Sequence, residues 1–115
     1  MRVTNAPASR ERRRRRLKLA KGFYGARSKL FRTATEAVDR AMRMSTIHRK
    51  LKKRDFRRLW IARINAATRA EGVSYSAFIA GLIKAGVTLN RKMLSEIAIH
   101  DPEGFKTLVD IARKA

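Results

Sequence analysis

Apolar residues recur at helical spacing along most of the chain, and no segment alternates between apolar and polar residues as a strand would. From residue 26 to residue 71 there is neither proline nor glycine, and the apolar positions from Leu30 to Met42 repeat about every 3.6 residues. This pattern predicts one continuous helix over 26–71, about 70 Å long at 1.5 Å per residue. Such a helix has to project from so short a chain. We therefore expect an all-α protein.

A shorter helix is predicted before this segment. Residues 1–9, MRVTNAPAS, show no periodicity and are expected to be irregular, with Ser9 as the N-cap of a helix that begins RERRRRR. The two glycines of GFYG, residues 22–25, favour a turn because glycine reaches positive φ at little cost. The two helices together form a long basic N-terminal extension, residues 1–58.

Residues 59–115 are predicted to fold as a small helical bundle. Gly72 suits the end of a helix, Ser74 and Asn90 suit the starts of the next two, and Asp101-Pro102-Glu103 is the clearest helix start in the chain. Trp60, Ile61, Ile64 and Ala67 are expected to form the first core layer. The remaining core faces are predicted at Tyr75, Phe78, Ile79, Leu82, Met93, Leu94, Ile97, Ala98, Phe105, Leu108, Val109 and Ala112.

Charge divides the chain at the same place. The net charge is +20. Residues 1–58 hold 21 Lys and Arg and four acidic residues, which gives +17, whereas residues 59–115 hold eight and five, which gives +3. A segment with +17 repels itself unless counterions or phosphates neutralise it, so we expect a nucleic acid as its partner.

Three basic motifs lie in the extension: the arginine run at 12–16, GFYGARSK at 22–29 and HRKLKKRDFRR at 48–58. Cations reach phosphates, and aromatic rings stack on unpaired bases. The candidate contacts are Arg10, Arg12, Arg13, Arg14, Arg15, Arg16, Lys18, Lys21, Phe23, Tyr24, Arg27, Lys29, Arg32, Arg49, Lys50, Lys52, Lys53, Arg54, Arg57 and Arg58. The alternative for the arginine run is a solvated, disordered tail or nonspecific adhesion to any polyanion, and for residues 48–58 it is a solvated helix face. At the GFYG turn, the elbow between the two helices, Phe23 and Tyr24 could instead pack on each other. Asp55 is expected to offset the local repulsion by pairing three or four residues away.

Other classes of function find little support in the sequence. There is no cysteine, and the acidic residues are too scattered to hold a metal, so no metal or cofactor is expected. The chain has no glycine-rich phosphate loop and no nucleophile elbow, so we predict no enzyme and no small-molecule substrate. Alanine fills many apolar positions of the extension, which argues against insertion into a membrane surface. A nonspecific DNA-compacting protein is the main alternative that composition permits.

Four motifs, in this order, resemble the bacterial large-subunit ribosomal protein L-twenty family. They are LKLAKGFYGARSKLFR at 17–32, KRDFRRLWIARINAATR at 53–69, GVSYSAFIAGLIKAGVTLNRKMLSEIA at 72–98 and the closing FKTLVDIARK. The resemblance covers about residues 10–115. The opening MRVTNAPAS is less basic than is usual for the family.

The resemblance implies a cytoplasmic ribosomal protein whose basic extension threads through large-subunit ribosomal RNA and supports subunit assembly. It also implies contact with neighbouring large-subunit proteins such as the L-twenty-one family, and in some bacteria repression of the protein's own messenger RNA through the C-terminal domain. For the bundle, the candidate contacts are Arg63, Asn65, Arg69, Arg91 and Lys92. Trp60 is assigned to the core.

Overall fold

The computed structural model describes residues 4–115, and this part of the chain is helical without a strand. Its helices are α1 (Ala6–Leu19), α2 (Ala26–Lys29), α3 (Phe31–Ala70), α4 (Tyr75–Lys84), α5 (Arg91–His100) and α6 (Pro102–Lys114). The prediction of an all-α fold is confirmed. The chain divides into two compact units, unit 1 (Met1–Lys50, described from residue 4) and unit 2 (Leu51–Ala115), and α3 contributes residues to both.

Helix α1 begins earlier than the sequence predicts. It starts at Ala6, with Pro7 in its first turn, and the Ser9 backbone N–H already donates a helical bond to the Asn5 carbonyl at 3.2 Å. The predictions of an irregular segment over residues 1–9 and of Ser9 as the N-cap are therefore wrong from residue 6 onward, while residues 1–3 lie outside the described residues. The fixed φ of proline suits the first helical turn, where its missing N–H costs nothing.

The predicted turn at GFYG is confirmed, since Gly22 and Gly25 have φ of 88° and 58°. The predicted single helix over 26–71 is wrong at its start. The chain forms one turn, α2, and then extends at Leu30, where φ is −85° and ψ is 122°. No proline or glycine causes this break. Tertiary packing accompanies it, because α3 then buries Ala34 and Val38 against Ala20 in a small apolar cluster of unit 1.

Unit 2 is built around one larger core. Its buried side chains are Ile64, Phe78, Leu82, Leu94, Phe105 and Val109. The Phe78 and Phe105 rings pack with centroids 5.3 Å apart, and α6 packs on both α4 and α5. Burying each of these large apolar side chains contributes about 1.5–3 kcal/mol.

The predicted helix ends of unit 2 are confirmed. Ser74, Asn90 and Asp101 accept hydrogen bonds from the N–H groups of Ala77, Met93 and Gly104. Gly72 has a φ of 73°, and Val73 N–H donates to the Thr68 carbonyl at 2.9 Å, which closes α3 with a Schellman motif. Each N-cap satisfies an orphan N–H and contributes about 1 kcal/mol.

The core layer predicted on α3 is only partly correct. Ile64 is fully buried and Ala67 packs on the core, as predicted. Trp60 and Ile61 are only half-buried and are not part of that core, so their assignment is wrong. The Trp60 ring instead lies near Phe56, with centroids 6.2 Å apart. The core thus begins one helical turn further along α3 than the apolar pattern indicates.

Candidate nucleic-acid interface

Helix α1 presents the arginine run on all sides. Successive helical residues are about 100° apart, so five in a row surround the axis. Arg12 to Arg15 are exposed, and Arg15 Nε lies 3.1 Å from a Glu11 carboxylate oxygen. Arg16 is half-buried and pairs with Asp39 of α3 at 3.1 Å. Most of the run therefore faces solvent, while Arg16 helps to hold α1 to the start of α3.

The two aromatic residues of the elbow have different environments. Phe23 is half-buried and packs against the cluster of Ala20, Ala34 and Val38. The Tyr24 side chain is 95% exposed. The nearby candidates Lys21, Arg27 and Lys29 are exposed as well. Of the two rings, Tyr24 is therefore the more exposed, while the half-buried Phe23 keeps part of its surface accessible.

The second basic cluster, residues 48–58, lies on α3 and contributes residues to both units. In unit 1, the Arg49 guanidinium donates to Ser45 Oγ at 2.7 Å. In unit 2, Lys53, Arg54, Arg57 and Arg58 fall within about half of the helix circumference at 100° per residue. Asp55 lies 3.8 Å from Arg58, three residues on, which confirms the predicted local pairing. The Lys52 ammonium lies 5.9 Å from the centre of the Phe56 ring.

Four of the polar candidates in unit 2 share one stripe of α3. Arg54, Arg58, Asn65 and Arg69 are spaced by four, seven and four residues, so they lie on the same side of the helix. Arg69 Nε donates to Asn65 Oδ1 at 3.3 Å, which links the two side chains on this stripe. Arg63 lies about 160° around the axis from Asn65 and is not part of this stripe.

The other two bundle candidates lie on the first turn of α5. Lys92 is exposed. Arg91 is half-buried, and its Nε is buried without a hydrogen-bond partner among the described residues. The half-buried Arg91 is therefore less open to a phosphate than the exposed Lys92.

Exposure and pairing together describe the charge of residues 4–58. Of the 20 Lys and Arg in this range, only Arg16 is not exposed. Three of the 20 lie within 4.0 Å of a carboxylate in the described structure: Arg15, Arg16 and Arg58. Ion pairs at the protein surface contribute at most about 1 kcal/mol each. The positive charge is therefore left almost entirely available to an external polyanion.

Unit 1 also contains a groove that the sequence did not indicate. Its volume is about 350 Å³, and it is lined by one face of α3 together with the elbow and α2. The lining residues include Phe23, Arg27, Glu36, Ala37, Arg40 and Ala41. Glu36 and Arg40 were not among the candidate residues. The signal that could have found them is their spacing of three or four from Thr33, Ala37 and Met44, which places them on one helix face.

Features typical of other functions do not occur in the described residues. No group of three or more His, Cys, Asp or Glu in residues 4–115 is arranged to hold a metal ion. Within that same range, no helix combines the length and the apolar character that crossing a membrane requires.

Comparison with known proteins identifies the family. A family model described as "Ribosomal protein L20" matches residues 2–108. The large ribosomal subunit protein bL20 of Clostridium botulinum (strain Hall) is 61% identical over 113 residues, which cover 98% of this chain and 95% of that protein. The bL20 protein of Clostridium acetobutylicum is 60% identical with the same coverage. These matches confirm the predictions of a structural, non-enzymatic ribosomal protein that works in the cytoplasmic ribosome. The L-twenty family that the motifs resemble is this one, and the chain belongs to the ribosomal protein L20 family.

Proposed function

We propose that the protein is a structural constituent of the large ribosomal subunit that binds large-subunit ribosomal RNA directly and supports assembly of the subunit. The observation that carries the proposal is the unpaired charge of residues 4–58, where 19 of 20 Lys and Arg are exposed and only three pair with a carboxylate. Folded RNA brings many phosphates close together, and these repel one another. Cations placed between them remove that repulsion, and binding also releases counterions.

We propose a division of roles at residue 58. The extension, residues 1–58, makes contacts on several sides at once, because the arginine run surrounds α1. A helix that binds phosphates on all sides fits the interior of a folded RNA better than the surface of a plain duplex. The arginine run therefore favours ribosomal RNA as the partner over duplex DNA, which a DNA-compacting protein would bind.

The bundle, residues 59–115, is proposed to be the rigid platform of the interaction. On α3, the hydrogen bond from Arg69 to Asn65 restrains both side chains, which reduces the side-chain entropy lost on binding. We further propose that this part of the chain binds the protein's own messenger RNA where self-repression operates. A neighbouring protein of the L-twenty-one family is the proposed protein partner, a proposal that rests on the resemblance alone.

Competition binding tests the main proposal. The full chain and residues 59–115 are each bound to large-subunit ribosomal RNA at physiological salt, with random RNA and duplex DNA as competitors. We expect the full chain to bind ribosomal RNA with an affinity orders of magnitude higher than its affinity for either competitor. Equal binding to all three polyanions would show that the charge binds any polyanion without specificity and would contradict the proposal. Retained specificity in residues 59–115 would show that the bundle itself recognises ribosomal RNA.

The salt dependence provides a second readout. The logarithm of the binding constant falls with the logarithm of salt concentration by about 0.7–0.9 for each phosphate neutralised. The full chain should therefore have a much steeper slope than residues 59–115, which carry only +3. Similar slopes for the two would show that the extension does not bind phosphates.

A further inference from the structure

The groove of unit 1 combines an apolar floor with charged walls. Ala37 and Ala41 lie half-buried on the face of α3 that forms its floor, and Phe23 of the elbow forms one side. Alanine side chains are short, so they leave a flat surface close to the helix. A planar ring can lie on such a surface and stack against Phe23, as unpaired bases do on aromatic side chains.

Cations stand at the rim of the same groove. Arg27 comes from α2 and Arg40 from α3, and both are exposed. Neither lies within 4.0 Å of a carboxylate in the described part of the chain. Two free guanidinium groups beside an apolar floor match the two parts of a nucleotide, since the phosphates take the cations and the base takes the floor.

Glu36 is the unusual member of this groove, because a carboxylate beside a phosphate-binding site repels phosphate. Glu36 and Arg40 are four residues apart on α3, the spacing at which ion pairs form, yet no ion pair joins them. Glu36 also makes no side-chain hydrogen bond to any of residues 4–115. Its two oxygens are therefore free to accept hydrogen bonds from a ligand.

A carboxylate selects among the four RNA bases by its lack of donors. Guanine alone presents two adjacent donors on its Watson–Crick edge, the N1–H and the exocyclic amino group, and these match the two oxygens of one carboxylate. Adenine and cytosine place an acceptor beside their amino group, and uracil flanks its single N–H with two carbonyls. Paired, charge-assisted hydrogen bonds of this kind are the strong ones.

We propose that this groove binds one unpaired guanine of an RNA, with Glu36 as the residue that selects the base and with Arg27 and Arg40 on the adjoining phosphates. The proposal rests on the RNA-binding function proposed above and adds to it a base-specific contact within unit 1. Contacts to phosphates carry no sequence information, so this site would give the basic extension a means of recognising one position.

The test uses the full chain and a set of hairpin RNAs that are identical except for one bulged nucleotide, which is guanosine, inosine or adenosine. Inosine keeps the N1–H of guanine but lacks the exocyclic amino group. We expect the guanosine bulge to bind about tenfold more tightly than the adenosine bulge, with inosine in between, because a good bidentate pair discriminates by this order.

Three variants separate selection from general attraction. Glu36→Gln should abolish the preference for guanosine, because an amide offers a donor where guanine needs an acceptor. Glu96→Gln, an exposed glutamate on α5, removes the same charge and should keep the preference. Arg40→Gln should weaken binding to all three hairpins equally. Circular dichroism of each variant checks that the helices are intact.

Equal binding of the three hairpins by the unmodified protein, or a guanosine preference that survives Glu36→Gln, would overturn the proposal. These outcomes are independent of the competition experiment with ribosomal RNA. Selective binding of ribosomal RNA together with equal binding of the hairpins would refute the guanine site and leave the proposed function standing. The reverse pair of results would refute the proposed function alone.

Discussion

Replacing Gly81 by alanine tests how closely α4 and α6 pack. Gly81 is buried in the middle of α4. A Cβ added there would overlap the backbone carbonyl oxygen of Ala112 in α6 and would lie 2.8 Å from both the carbonyl carbon and the Cα of that residue. Ordinary contacts of this kind are 3.4–4 Å. Because the obstacle is backbone, rotation of a side chain cannot relieve it, and α6 has to move away from α4.

Two opposing terms set the size of the effect. Alanine is favoured over glycine in a helix interior by about 1 kcal/mol, which stabilises the variant. Overpacking of this kind costs about 1–3 kcal/mol. Moving α6 outward also exposes part of Phe105 and Val109, whose full burial contributes about 1.5–3 kcal/mol each. We expect Gly81→Ala to lower the free energy of unfolding by about 2 kcal/mol net, or the Tm of so small a unit by about 8–16 °C.

The assay is urea and thermal unfolding of the full chain, followed by far-UV circular dichroism. The matched control is Ala80→Gly, which changes the neighbouring exposed residue in the opposite sense and should cost about 1 kcal/mol from helix propensity alone. If Gly81→Ala were instead more stable by about the same amount, propensity would be the only term. The close approach of α4 and α6 would then be refuted.

Three further predictions concern single side chains. Asp101→Ala should lower the free energy of unfolding by about 1 kcal/mol, because it removes the acceptor for the Gly104 N–H at the start of α6. Asp101→Asn keeps an acceptor and should retain most of the stability. An equal loss of stability in both variants would contradict a capping role. Ser95→Ala should raise the Tm, because the buried Ser95 hydroxyl has no hydrogen-bond partner among the described residues. Leaving such a group unpaired costs about 1–3 kcal/mol. A lower Tm in thermal unfolding would show that the hydroxyl does make a hydrogen bond. Tyr24→Ala should weaken binding to ribosomal RNA about tenfold, since stacking on one base contributes about 1–3 kcal/mol, with an unchanged circular dichroism spectrum because the side chain is 95% exposed. Tyr24→Phe keeps the ring and should bind normally, so equal losses in both variants would argue against stacking.

Local signals were sufficient to predict much of unit 2. The caps Ser74, Asn90 and Asp101 are predictable because each accepts a hydrogen bond from a residue three positions on, and such short-range chemistry is visible in the sequence. The core residues Ile64 and Phe78 are predictable because helical periodicity indicates which face of a helix is apolar.

The errors lie where distant parts of the chain decide the outcome. The break at Leu30 has no local signal and accompanies the burial of Ala34 and Val38 against Ala20. Trp60 fits the apolar stripe of α3, yet the core of unit 2 begins at Ile64, because the position of the other helices determines where burial starts. Periodicity gives the direction in which a side chain points and not whether anything lies there.

The candidate site, too, could be predicted from the sequence only in part. The exposed cations of residues 4–58 follow from composition, since so many charges cannot be buried. The groove does not, because it requires Phe23 of the elbow to lie beside a face of α3 that includes Glu36 and Arg40. The opposite environments of Phe23 and Tyr24 likewise depend on how the elbow folds back, so their adjacency in sequence gave no means to distinguish them.

Because α6 lies at the end of the chain, the arginine run of a newly made protein is synthesised before the core of unit 2 can close. Helix α1 begins at Ala6, whereas Phe105 and Val109, without which the core of unit 2 is incomplete, lie in α6, which begins at Pro102. At a translation rate of about 5–20 residues per second, α6 is synthesised roughly 5–20 s after α1. During that interval the nascent chain carries its arginine run without a closed core. Attraction to RNA therefore precedes the completion of folding in every newly made molecule.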